Sequence, residues 1–127
     1  MKIAIATRHF ATIARHAGQT REWLLYDCLP TQAPPAPERI ELAREQVIHH
    51  FSGEGPHPLD GAELIIAASA GDGFVRHMAK RGARVLLTAE SDPLHAVTKV
   101  LAGEELAAPR VDVTRVLCAL HDVFSRH

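Results

Sequence analysis

The sequence predicts a single-domain α/β fold, a mixed five-stranded sheet flanked by helices. Three observations carry this reading. Residues 63–68 (Glu63-Leu64-Ile65-Ile66-Ala67-Ala68) form a continuous apolar run, the pattern of a central strand buried on both faces. Residues 64–88 read as strand, helix, strand, an arrangement that places its two strands in parallel through a right-handed crossover. The chain has 127 residues, enough for one core and too few for two ordinary domains.

Taken in order, residues 3–7 read as a short buried strand. Residues 8–20 read as a loop that carries Arg8, His9, Arg15, His16 and Gly18 and no acid before Glu22, so this end is locally basic. Trp23, Leu24, Leu25 and Tyr26 make residues 22–27 a second strand. Pro30, Pro34, Pro35 and Pro37 break regular structure, and residues 29–37 become a surface connection. Residues 38–42 alternate like a strand, while 43–51 fit either a continued strand or a short helix. The early strands at 22–27 and 38–42 are expected to pair antiparallel with the first.

Gly71-Asp72-Gly73 makes a tight turn, with Asp72 as a helix cap. A helix then runs from about residue 74 to 81, burying Phe74, Val75 and Met78 and stopping at Gly82. Val85, Leu86 and Leu87 mark another buried strand over 84–88. Ser91 or Asp92 caps the next helix, Pro93 suits its first turn, and Gly103 ends it, with Leu94, Val97 and Leu101 facing the core. A last amphipathic helix is expected over about 113–125, with Val113, Val116, Leu117, Leu120, Val123 and Phe124 on one arc.

Bulk composition narrows the function classes. A formal net charge of −1 gives no strong overall field toward nucleic acid or membrane, so neither is expected as a partner. Two cysteines, Cys28 and Cys118, form no close-spaced motif, which argues against a disulfide framework or a tetrahedral cysteine zinc site. The apolar start at residues 1–6 is too short for a signal peptide, no run approaches membrane-spanning length, and the expected location is a reducing cytoplasm. Nine histidines leave room for metal binding or a pH response. No Ser/His/Asp arrangement or activated cysteine stands out. Asp60, Asp72 and Asp92 each have a turn or capping explanation, so no catalytic residue is assigned and an enzyme is not expected.

An ordered set of stretches resembles a known family. These are Met1-Lys2-Ile3-Ala4-Ile5-Ala6, the His16-Ala17-Gly18 turn, the run from Leu64 through Ala70-Gly71-Asp72-Gly73-Phe74, Lys80-Arg81-Gly82, Thr88-Ala89-Glu90-Ser91-Asp92-Pro93 and Leu101-Ala102-Gly103. Together they resemble the dinitrogenase iron-molybdenum cofactor-binding proteins, of the NifX type and the C-terminal part of NifB, over nearly the whole chain. The resemblance implies a ribonuclease-H-like sheet. It also implies transient binding of the iron-molybdenum cofactor or its iron–sulfur precursor, and delivery to an assembly scaffold or to apo-dinitrogenase. Many relatives carry His-Phe-Gly where this chain has His16-Ala17-Gly18, and shorter relatives lack the Pro- and His-rich insertion at residues 29–58.

A metal–sulfur cluster is a polyanion. A carrier needs one or two His or Cys ligands with cationic or N–H donors around them. In an open α/β sheet, ligands gather beyond the carboxyl ends of the parallel strands. If strands 3–7, 64–68 and 84–88 are parallel, loops 8–20, 69–73 and 89–92 meet there. The first brings Arg8, His9, Arg15 and His16. The second offers Gly71 and Gly73 at a helix N-terminus, where free N–H groups favour anions.

His16 is the first ligand candidate, set against a partnerless loop histidine. Cys118 and His121, three apart on the last predicted helix, are a further metal-ligating pair, set against a half-buried structural cysteine. His49, His50 and His57 read as solvated surface histidines in preference to a second metal patch. Two other functions stay open: a non-catalytic docking or regulatory module for a nitrogenase assembly scaffold, and a small phosphate-ligand enzyme using the 69–73 turn.

Overall fold

The computed structural model describes residues 1–29, 32–48 and 55–108. Six strands and two α-helices follow in the order β1 (Lys2–Arg8), β2 (Thr12–Ile13), β3 (Glu22–Asp27), β4 (Glu38–Glu41), β5 (Leu64–Ala67), α1 (Asp72–Lys80), β6 (Arg84–Leu87) and α2 (Pro93–Leu101). The sheet order is β4-β3-β1-β5-β6, with β2 paired to β1 beside this path. The five expected strands are all present. The sixth, β2, lies within the stretch expected to be a loop: β1 runs on to Arg8, turns at His9 and Phe10, and pairs back at Thr12 and Ile13.

β1 is antiparallel to β3 and parallel to β5, and β5 is parallel to β6. β4 pairs with β3, not with β1 as expected, because β3 already fills the flank of β1. The parallel ends of β1, β5 and β6 therefore open on one rim.

Side-chain alternation sends successive residues to opposite faces of the sheet. On one face Ala4, Ala6, Trp23, Ile65 and Ala67 pack with Phe74 and Met78 of α1. On the other, Ile3, Ile5, Leu24, Ile66 and Tyr26 pack with Ala96 and Val97 of α2. The small Ala4 and Ala6 leave room for the single tryptophan. Trp23 is fully buried, its indole N–H donates to the Thr20 carbonyl at 3.0 Å, and its ring stacks on Phe74 with centroids 6.4 Å apart. Burying each such large apolar side chain contributes about 1.5–3 kcal/mol.

Both helices start where glycine, aspartate and proline direct them. Asp92 caps α2, its carboxylate accepting from the Leu94 amide at 3.1 Å, and Pro93 occupies the first turn. Gly82 and Gly103 lie just past the helix ends at φ of +86° and +75°, a left-handed conformation that glycine adopts without steric cost.

Several side chains differ from expectation. Val75 and Leu94 are exposed, since each points away from the sheet while Met78 and Ala96 fill the facing positions. Leu87 is exposed and Val85 and Leu86 are half-buried, because β6 lies at one edge of the sheet among the described residues. Asp72 is the first residue of α1 and not its cap: Gly71 holds that position and supplies no side-chain hydrogen bond. Residues 44–46 form a 3-10 turn, resolving the ambiguity after residue 42 toward helix. The expected helix over 113–125 lies outside the described residues, as do His49 and His50. Among the described residues no helix is long and apolar enough to cross a membrane.

Candidate functional site

The rim above the parallel strands is built by one segment crossing it. At the end of β2 the Ile13 amide donates to the Ser91 carbonyl at 2.9 Å, and just beyond it the Ala14 carbonyl accepts from the Ala68 amide at 2.9 Å. The Ala17 amide donates to the Ser69 carbonyl at 3.0 Å. The loops after β1, β5 and β6 are thereby tied together, as the parallel arrangement requires.

His16 sits at the centre of this junction. Its backbone is left-handed, with φ of +56°, and it precedes a short 3-10 turn at Ala17–Gln19. Such a conformation costs a non-glycine residue on the order of 1–3 kcal/mol and persists where the surroundings over-determine it. Here they do. The His16 amide donates to Ser69 Oγ at 3.0 Å. The His16 carbonyl accepts from the Gln19 amide at 2.8 Å and from Thr20 Oγ1 at 3.2 Å. The imidazole is left exposed on a pinned backbone.

Two clefts flank His16. The first, about 440 Å³, lies between the 16–19 turn and α1. His16, Gly18 and Gln19 form one wall, and Gly71, Gly73 and His77 form the other, with Phe74 and Ile48 completing the lining. Among the described residues, a Cβ placed on Gly71 or Gly73 would meet no atom within 4 Å beyond its chain neighbours and its own helix backbone. The first turn of α1 has no side-chain cap, and its amides face an anion-favouring end of the helix dipole.

The second cleft, about 490 Å³, lies on the other side of His16, toward β6. Arg15, His16 and Ser69 face Thr88, Glu90 and Ser91 across it. Glu90 is engaged by Lys99 at 3.0 Å and His95 at 3.7 Å. The Lys99 hydrogen bond outweighs the opposing effect of desolvation and holds the Glu90 carboxyl below its ordinary range. This cleft therefore sets Arg15 beside an ionised carboxylate, whereas among the described residues no carboxylate side chain lines the first.

The expected site residues are thus divided. His16, Gly71 and Gly73 share the first cleft, and Arg15 lies with His16 in the second. Arg8 and His9 line neither. They sit at the tip of the β1–β2 hairpin, where Arg8 pairs with Thr12 and His9 turns toward Glu22, its amide donating to Oε1 at 3.3 Å. The hairpin that replaces the expected loop carries them away from the rim. Cys118 and His121 lie outside the described residues.

His57, expected to be solvated, is 5% exposed. Its Nε2 lies 2.5 Å from the Gln46 carbonyl, and its Nδ1 accepts from the Leu59 amide at 3.1 Å, so it is a structural histidine of the 57–61 turn. His77 was not foreseen as a site residue. Its signal was positional: residues 73 and 77 are four apart and share a helix face. Burial and the nearby charges of Arg81, His57 and Lys80 push its pKa below 6.5. Among the described residues, no three of His, Cys, Asp and Glu gather to hold a metal ion by themselves.

No family model matches the chain, and no curated protein does. Solved structures share its fold. The crystal structure of PH0822 is 15% identical, with a TM-score of 0.65 over 89% of this chain and 96% of that one. The NMR structure of a NifB-like protein from Thermotoga, placed in the DUF35 family, is 18% identical, with a TM-score of 0.55 over 87% of this chain and 97% of that one.

Proposed function

We propose that this protein binds and carries an anionic iron–sulfur cluster, the iron-molybdenum cofactor or its precursor, during nitrogenase cofactor assembly, and that it does so without catalysing a reaction. In this reading the sheet is of the ribonuclease-H-like type, the protein works in the cytoplasm, and the cargo passes to an assembly scaffold or to apo-dinitrogenase.

The observation that supports it most is the meeting of His16 with the uncapped start of α1 across the first cleft. A neutral imidazole is a borderline ligand for iron. The amides of the glycine turn present partial positive charge to sulfide faces without forming metal bonds. Few protein–metal bonds suit a carrier, which must release what it holds. The ordered sequence resemblance points the same way, and the likeness to the Thermotoga protein is one of fold.

Anaerobic mixing with isolated iron-molybdenum cofactor, followed by gel filtration, tests the reading. The brown chromophore is expected to co-elute with the wild-type protein and to be largely lost from His16→Ala. Elution of protein without colour, with saturable retention of inorganic phosphate at the same turn, would replace the carrier with a phosphate-binding protein. Elution with neither would leave the docking module.

A further inference from the structure

We propose that the second cleft, on the β6 side of His16, binds a small free α-amino acid, with its carboxylate on Arg15 and Ser69 and its ammonium on Glu90. This site is separate from the proposed cluster cleft, and its test needs no cluster.

The cleft lies where the chain divides between the two faces of the sheet. β5 and β6 are parallel neighbours. The chain leaving β5 enters α1, which packs on the face of Ile65 and Ala67. The chain leaving β6 enters α2, which packs on the opposite face, with Ile66. Adjacent parallel strands whose connections part in this way open a crevice beyond their carboxyl ends, where open α/β sheets bind ligands. The second cleft occupies that crevice. Ser69 comes from the loop after β5, Glu90 from the loop after β6, and Arg15 from the segment that crosses above both.

The charges in the cleft select the ligand. Arg15 and Glu90 line it without closing on each other: Glu90 pairs with Lys99 and His95, and Arg15 pairs with no described residue. Arg15 would hold a carboxylate but repel a simple cation. The ionised Glu90 would repel a simple anion. A zwitterion satisfies both. Ser69 Oγ already accepts from the His16 amide, which leaves its hydrogen to donate to the ligand's carboxylate. Glu90 accepts hydrogen bonds from Lys99 and the Ala107 amide, and a carboxylate has about four acceptor sites, so an ammonium can join them. The Thr88 hydroxyl is committed to the turn, donating to the Ala107 carbonyl at 2.9 Å and accepting from the Glu90 amide at 3.0 Å. Ile13, Ala68 and Ala89 add apolar wall, which suits a short side chain over a further charge.

Titration of nitrogen-15-labelled protein with glycine, L-alanine and L-serine, followed by amide shifts, tests the site. At least one is expected to move the amides of Arg15, Ser69 and Glu90 saturably, with half-saturation on the order of 1 mM. Propionate lacks the ammonium of L-alanine and ethylammonium lacks its carboxylate. Each gives up a charge-assisted hydrogen bond and should bind at least about tenfold more weakly than L-alanine. Arg15→Gln, at an exposed position, should weaken amino-acid binding by about tenfold. Glu90→Gln should erase the advantage of L-alanine over propionate. No saturable shift at these amides with any of the three amino acids overturns the inference. So does propionate or ethylammonium binding as tightly as L-alanine, or Arg15→Gln binding as tightly as the wild type.

Discussion

The His16 amide donates to the Ser69 hydroxyl at 3.0 Å, a bond between residues 53 apart in the chain. It fixes the candidate ligand of the first loop onto the loop that follows the central strand. With the Ala17 amide on the Ser69 carbonyl, it makes Ser69 the hinge pin of the rim.

Replacing Ser69 with alanine removes this acceptor at a half-exposed position. The expected loss of stability is about 0.5–1 kcal/mol, read from urea unfolding. Cluster retention should fall more than this suggests, because a left-handed His16 is then held by its carbonyl contacts alone. Equal stability and equal retention would show that the serine does not position the histidine.

Gly73→Ala separates the cleft from the fold. Among the described residues no atom beyond the chain neighbours and the helix's own backbone lies within 4 Å of the added methyl, and the position is helical, so folding stability should rise by up to about 1 kcal/mol. The methyl points into open space that the cargo is proposed to fill, so binding should weaken. The fluorescence of Trp23, stacked on Phe74 of the cleft lining, offers the readout: quenching by bound cluster should need a higher cluster concentration in the variant. Stability and quenching that stay together at wild-type values would separate this turn from the site.

The pH dependence of stability follows from two groups. For His77, burial comes first and neighbouring positive charge second, and both lower its pKa below 6.5. For Asp60, burial pushes the carboxyl up. Donation by the His57 amide and Arg81, with the charges of Arg81 and His57, outweighs it and holds the pKa below 3.8. In both cases the unfolded chain binds more protons than the native one, so stability falls as the solution is acidified. The His77 contribution is full above 6.5 and is lost as pH falls from there through its lower native value. The Asp60 contribution is full above 3.8 and is lost as pH falls through its native value. Urea midpoints measured from pH 8 to pH 3 should show both declines. His77→Gln should remove the first and Asp60→Asn should shrink the second. A wild-type midpoint that is flat between pH 7 and pH 5 would contradict the assignment to His77.

Much of the frame was legible in the residues. The aromatic-apolar run at Glu22–Asp27 forms a strand with the expected bounds, and the apolar run at Leu64–Ala67 forms the buried parallel strand. Asp92 and Pro93 start a helix by the chemistry that predicts it. What was not legible depends on partners distant in sequence. The two-residue strand Thr12–Ile13 is too short for any periodicity, and it exists because β1 runs on to receive it. His57 looks like a surface residue between two prolines until Gln46 and Leu59 enclose its ring. The first cleft was half visible. The glycine turn and His16 carry local signals, but that they face each other is a consequence of the order β1-β5-β6, with the Ala17–Ser69 bond closing the gap. His77 needed the helix face to be known before it could be placed.

In the proposed function a cluster binds between the 16–19 turn and the start of α1. Paramagnetic broadening of amide resonances measures this directly, on nitrogen-15-labelled protein loaded anaerobically with iron-molybdenum cofactor. The amides of residues 16–19 and 71–77 should broaden most. Those of Gly61 and Gly82, at turns that line no part of the cleft, should stay sharp. Broadening centred on any other part of the molecule, with residues 16–19 and 71–77 unaffected, would contradict the account.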